Sequence, residues 1–227
     1  MLGNLRLPLT LLFTGSAAAG AGTNIAVSAV AATSASLGHA RAGRIDWRLA
    51  GWMVPPSIAA GFAGGWLAGR MDEALLLTAI AILLLYSAVE VVKPPTGRPG
   101  PVGGRRSMRA VVVAATIGLV GGTVGLMLGS LRLPALIRII GQKTIEAVGT
   151  NQVVGAALGY AALAGHLLGS GVDPALVAAG AIGAAPGGLL GARLAGLLPE
   201  TRLRRFIAVA LVVSAAAIVG GLVVSGS

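Results

Sequence analysis

Two short polar segments of the chain have the same residues and similar surroundings. Gly22-Thr23-Asn24 and Gly149-Thr150-Asn151 each lie between a short apolar stretch and a long apolar run. Glycine permits a turn, and threonine or asparagine can cap the helix that follows. A helix start offers unpaired N–H groups and the positive end of its dipole, which together attract an anion. The pattern therefore predicts two anion-facing helix starts, with Gln152 adding an amide to the second.

The composition places these segments in a lipid bilayer. Of the 227 residues, 56% are hydrophobic and 11% are charged, whereas soluble domains carry about 25% charged residues. Apolar runs of roughly 20 residues, each able to cross a hydrocarbon core of about 30 Å, recur along the chain. Continuous runs favour helices over the alternation of a barrel strand. The predicted spans are 24–37, 47–68, 74–92, 108–128, 150–168, 174–195 and 206–224, and half-helices are predicted at 7–13 and 133–140.

The chain contains an internal duplication. An offset of 127 residues aligns Thr23–Val92 with Thr150–Val219 without a gap, and 22 of the 70 pairs are identical. Upstream, Leu5–Pro8 and Leu131–Pro134 both read Leu-Arg-Leu-Pro, with one residue of slippage. The aligned polar residues pair Asp46 with Asp173, Glu73 with Glu200 and His39 with His166.

The duplication predicts three parts: a first repeat at residues 1–92, a basic cytoplasmic linker at 93–107, and a second repeat at 108–227. The opening helix of the second repeat, residues 108–126, has no counterpart in the first. We therefore expect a first repeat that lacks its opening helix, either because the start codon is assigned too late or because the helix is lost. Together, the apolar runs and the duplication predict an all-α polytopic membrane protein.

Positive charge predicts that the two repeats are inverted. If each full repeat crosses the membrane five times, the second repeat is inverted and 15 of the 17 Lys and Arg residues lie on the cytoplasmic side. Parallel halves with four passes would divide the same residues 9 to 8, with no bias. Arg132 is one of the two left on the outer side, where it would attract anions to an outer mouth.

Inverted repeats with broken helices are typical of secondary transporters, which bind their substrate near the membrane midplane. The principal hypothesis is therefore a carrier of a small anion, and the alternative is a non-transporting membrane scaffold or accessory subunit. The two Gly-Thr-Asn segments also have a simpler interpretation, in which Thr and Asn only satisfy backbone groups of their own helices. His39 and His166 could couple transport to protons, or could simply lie at the membrane–water boundary.

Several classes of chemistry are not expected. The chain has no cysteine, which excludes disulfides, zinc-thiolate sites and iron–sulfur clusters. It has no Walker A, HExxH or GxSxG motif, so we expect no enzyme, no metal site and no cofactor. The net charge of +10 is spread between apolar spans, so nucleic acid is not an expected partner. The expected partners are a small anion and the lipid bilayer, with a homodimer left open.

The order and spacing of several soft motifs resemble the TauE/SafE sulfite exporter family, also called TSUP. The motifs are a glycine-rich helix at 118–129 followed by Leu-Arg-Leu-Pro, the Ala-Val-Gly-Thr-Asn turn at 147–151, the loop at 43–48, and Gly-x-x-Gly-x-x-Leu-Ala-Gly at 61–69 and 188–196. The resemblance implies a multi-pass carrier of the bacterial inner membrane, for sulfite, sulfoacetate or related sulfonates. It also implies that the Gly-Thr-Asn segments face the substrate. The first copy departs from the pattern, because it reads Gly-Ala-Gly-Thr-Asn.

Overall fold

A computed structural model describes residues 2–92 and 106–194, with six further positions between 209 and 218. Within those residues all regular structure is helical, which confirms the predicted all-α class. The helices are α1 (Leu2–Thr14), α2 (Ala17–Arg41), α3 (Trp47–Ala68), α4 (Glu73–Val92), α5 (Arg106–Val124), α6 (Gly129–Pro134), α7 (Thr144–Gly169) and α8 (Pro174–Leu194). A π-helical segment, Ala135–Ile139, follows α6 directly. Most of the predicted linker at 93–107, and of the predicted span at 206–224, lies outside the described residues.

Three stretches of the described chain are long and apolar enough to cross a membrane: Ser107–Val124, Ile145–Gly169 and Pro174–Gly191. They belong to α5, α7 and α8. By contrast, α1 has 13 residues, and at about 1.5 Å per residue it reaches only some 20 Å, less than a hydrocarbon core. A short helix therefore precedes each of the long helices α2 and α7, as the sequence predicts.

Equivalent helices of the two repeats begin in the same way. At the start of α3, Asp46 Oδ1 accepts a hydrogen bond of 2.9 Å from Leu49 N–H. At the start of α8, Asp173 Oδ1 accepts one of 2.9 Å from Leu176 N–H. An aspartate in this position satisfies one of the N–H groups that a helix start leaves unpaired. The duplicated aspartates are thus explained locally, as helix caps.

Helix α3 packs between α5 and α7, and α2 packs against α7 and α8. Glycines allow the backbones to touch at these crossings. A Cβ on Gly64 would collide with the Leu119 carbonyl oxygen of α5, and a Cβ on Gly65 with the Ala162 carbonyl oxygen of α7. Since lipid offers no hydrophobic drive for helices to associate, such close van der Waals contact holds the bundle together.

Helices α2 and α7, which are equivalent in the duplication, run antiparallel. Gly22, near the start of α2, contacts His166 in the last turn of α7. Farther along, Gly159 contacts Ala29. Gly149, near the start of α7, lies against the Arg44 carbonyl oxygen, just beyond the end of α2. Each Gly-Thr-Asn segment therefore lies beside the far end of the other repeat's long helix.

Candidate functional site

The Gly-Thr-Asn segments lie inside helices, not at their starts. Helix α2 begins at Ala17 and α7 at Thr144, so each segment falls in the second turn of its helix. The prediction that these residues cap the helices and expose their N–H groups is wrong, because the preceding residues already form the first turn. In α2 the cap is Ser16, whose hydroxyl accepts from Ala19 N–H. The groups of these segments that are available for binding are therefore their side chains and not their backbone N–H groups.

The two threonines join the repeats by reciprocal hydrogen bonds. Thr23 Oγ1 accepts from the backbone N–H of Asp173 at 3.0 Å. Thr150 Oγ1 accepts from the backbone N–H of Asp46, also at 3.0 Å. Both threonines are fully buried. Each hydroxyl therefore holds the cap residue of a helix in the opposite repeat, so the threonines act between repeats and not only within their own helices.

The second repeat has one additional bond at this position. Gln142 Nε2 donates to Thr150 Oγ1 at 2.9 Å, and no such donor to Thr23 is found among the described residues. The predicted amide, Gln152, is half-buried and does not join the hydrogen bonds of its neighbours Thr150 and Asn151. Sequence reasoning thus named Gln152 and missed Gln142.

Substituting valine for each threonine should affect the two repeats unequally. Thr23→Val leaves one buried N–H without its acceptor, which costs about 1–3 kcal/mol. Thr150→Val strands two donors, Asp46 N–H and Gln142 Nε2, so we expect the larger fall in melting temperature there. Thermal unfolding in detergent, followed by tryptophan fluorescence, measures both. Thr78→Val, at an exposed hydroxyl bonded within its own helix, is the control, and equal losses at all three sites would contradict the expectation.

Each asparagine pairs with the arginine of its own repeat's short helix. In the first repeat, Arg6 Nε donates to Asn24 Oδ1 at 3.1 Å. The Nη2 group of Arg6 donates to the Asn24 carbonyl oxygen at 3.1 Å and to Ser28 Oγ at 2.7 Å. Asn24 Nδ2 in turn donates to the Gly125 carbonyl oxygen at 2.8 Å. Asn24 thereby ties α1 and the α5–α6 connection to α2.

In the second repeat, Arg132 Nη1 donates to Asn151 Oδ1 at 3.3 Å. Its Nη2 group donates to the Met127 carbonyl oxygen, also at 3.3 Å. The side chain of Arg132 is fully buried. The prediction that Arg132 lies at an outer mouth is therefore wrong, because α6 carries it into the interior of the protein.

Sequence reasoning named Arg132 as a residue that attracts anions, but it missed Arg6. The signal was present, since Arg6 and Arg132 hold the same place in the duplicated Leu-Arg-Leu-Pro motif. In the described part of the chain, every hydrogen-bond partner of the two guanidinium groups is an uncharged oxygen.

The two histidines are buried in the protein, in the last turns of α2 and α7. His166 Nε2 lies 2.9 Å from the Gly122 carbonyl oxygen of α5, and because a carbonyl only accepts, Nε2 donates. The other ring nitrogen, Nδ1, lies 3.2 Å from Ser170 Oγ. His39 is 3% exposed, and its Nδ1 has no hydrogen-bond partner among the described residues. Proton coupling through either histidine stays a prediction.

Other kinds of site find little support in the described residues. They contain no group of three His, Cys, Asp or Glu side chains that could hold a metal ion. An open cleft lies between the end of α1 and the start of α8, with Thr14, Ser170 and Asp173 among its lining residues. The arginines are not part of that lining. The Arg–Asn pairs therefore remain the polar centre of the described bundle.

A family model described as sulfite exporter TauE/SafE matches residues 2–218 of the chain. No curated protein and no solved structure matches the chain. The family is one of membrane transporters and not of enzymes. The chain therefore belongs to the TauE/SafE sulfite exporter family.

Proposed function

We propose that the protein is a multi-pass secondary transporter of the inner membrane that moves small anions such as sulfite or organosulfonates. The observation that carries the proposal is the pair of guanidinium groups of Arg6, which is half-buried, and Arg132, which is fully buried, both with uncharged partners only in the described chain. A charge inside a membrane protein is costly unless it is paired, and such residues mark ion or substrate pathways. An anion supplies the missing negative charge.

The proposed mechanism is alternating access by two inverted repeats. The antiparallel run of α2 and α7, which are equivalent helices, supports an axis of pseudo-symmetry in the membrane plane. The two reciprocal threonine bonds lie at opposite ends of the α2–α7 pair. One bond can therefore break while the other remains, which permits one repeat to rock against the other.

Within this mechanism the Gly-Thr-Asn segments have separate roles. Thr23 and Thr150 fasten the repeats together, while Asn24 and Asn151 orient the arginines toward a substrate. Gly22 and Gly149 admit the neighbouring repeat at close range. In this proposal the Gly-Thr-Asn segments serve the substrate site through their polar side chains and not through helix dipoles.

The topology is testable because the chain has no cysteine of its own. Single cysteines are introduced by Ala42→Cys, after α2, and by Ala175→Cys, in the first turn of α8. If the repeats are inverted, a membrane-impermeant maleimide added outside intact cells labels Ala175→Cys and not Ala42→Cys. Labelling of both positions from the same side would contradict inversion.

Transport itself is tested in proteoliposomes. We expect saturable flux of labelled sulfite, which excess unlabelled sulfite or methanesulfonate reduces and chloride at equal ionic strength does not. Protein-free liposomes are the control for leakage. A chain that inserts and folds but moves no anion would contradict transport and favour the accessory-subunit alternative.

A further inference from the structure

The two arginines differ in how completely the protein uses their hydrogen-bond donors. Arg6 is half-buried, and its Nε and Nη2 groups make three hydrogen bonds, two of them to Asn24. Arg132 is fully buried, and its two bonds both come from Nη groups at a long 3.3 Å. Its Nε–H has no partner in the described part of the chain. A buried donor on a charged group that lacks an acceptor is rare.

The free donor of Arg132 has a defined shape. In a guanidinium group, Nε–H and one N–H of the neighbouring Nη point along the same edge, so the edge can bind two oxygen atoms of one anion side by side. Sulfite, sulfonates and carboxylates present such a pair of oxygens. A halide ion presents a single acceptor and cannot satisfy both donors equally well.

We propose that Arg132 is the anion-binding side chain of the transporter and that its ligand is an oxyanion held through the Nε edge. This inference rests on the proposed function and specifies the residue and the class of substrate. Asn151, bonded to Nη1, keeps the opposite side of the guanidinium in place. Arg6 is then a positioning residue, because Asn24 and Ser28 already occupy its Nε and Nη2 donors.

The backbone on both sides of α6 departs from regular helix. Before α6, Leu128 has a φ of 45°, a left-handed conformation that is uncommon for a branched apolar residue, and Gly125 has a φ of 70°. After α6, the π-helical segment Ala135–Ile139 leads to Gly141, with a φ of 77°. Such irregular segments often occur at functional sites.

The first test compares arginine-to-lysine variants, which keep the positive charge but lose the planar edge. In purified protein, sulfite affinity is measured from the rise in melting temperature, with chloride at equal ionic strength as reference. We expect Arg132→Lys to weaken sulfite binding about tenfold or more, since charged hydrogen bonds contribute about 1.5–3 kcal/mol each. Arg6→Lys should weaken it less. Arg70→Lys, at an exposed arginine stacked on Trp66, is the matched control.

A second test uses the wild-type protein, so it does not depend on the folding of a variant. Butanedione modifies arginine side chains, and peptide mass spectrometry measures its reaction with Arg132. Methanesulfonate, which unlike sulfite does not react with the diketone, should protect Arg132 from the reagent, and chloride should not. Equal labelling in the two salts, or no labelling in either, would overturn the inference.

The outcomes separate this inference from the proposed function. If the wild-type protein moves no sulfite in liposomes, the proposed function fails. If the wild-type protein does transport sulfite and Arg132→Lys binds it as tightly, only the inference fails. Equal losses in the Arg6→Lys and Arg132→Lys variants would also overturn the assignment of Arg132 as the binding residue.

Discussion

Gly165→Ala is expected to destabilise the helix bundle by about 3 kcal/mol or more, toward the upper end of the range for overpacked cores. A Cβ at Gly165 would collide with the Phe62 carbonyl oxygen of α3. The obstacle is backbone, which cannot change rotamer, so α3 and α7 must move apart. Because Gly65 makes the reverse contact on the Ala162 carbonyl oxygen, the whole crossing loses its packing.

The control lies on a helix face that has room. Nothing lies within 4 Å of the position that a Cβ would take at Gly183 in α8. Gly183→Ala should therefore be neutral or should stabilise the protein by up to about 1 kcal/mol, the helix propensity of alanine over glycine. Melting temperatures in detergent compare the two variants. A Gly165→Ala variant that melts together with Gly183→Ala would contradict the close crossing.

The helix pattern was predictable where strongly apolar side chains dominate. The predicted bounds 47–68 agree with the helix α3, whose start has a clear aspartate cap, although α3 is not among the described helices that are long and apolar enough to cross a membrane. The predicted start at residue 24 missed seven residues of α2. Those seven residues, about two helical turns, are mostly Ala and Gly, whose low hydropathy is also typical of a turn, whereas in the fold they are helical and pack closely on their neighbours.

The candidate site was only partly predictable for a related reason. The duplicated Thr23 and Thr150 were visible in the sequence, but their acceptor role lies across the repeats, where no spacing along the chain reveals it. The residues next to an arginine in the sequence likewise do not show how deeply its side chain is buried. Arg6 and Arg132 have the same local sequence, Leu-Arg-Leu-Pro, yet only Arg132 is fully buried.

Asn151→Asp is expected to reduce anion flux about ten- to a hundredfold while leaving the protein folded. The new carboxylate is nearly isosteric with the amide and lies where Asn151 Oδ1 now accepts from Arg132 Nη1. It pairs with the buried guanidinium and cancels the charge that attracts the substrate. The magnitude corresponds to the loss of a charge-assisted interaction of about 1.5–3 kcal/mol.

Asn151→Ala separates the effect of charge from the loss of the hydrogen bond. Alanine removes the acceptor but adds no negative charge, so Arg132 stays cationic and flux should fall much less than in Asn151→Asp. Initial rates of labelled sulfite uptake into proteoliposomes, at matched protein insertion, provide the comparison. Two results would show that the charge of Arg132 does not draw the anion into the protein. One is an aspartate variant that transports as well as wild type, and the other is an alanine variant that transports less than the aspartate variant.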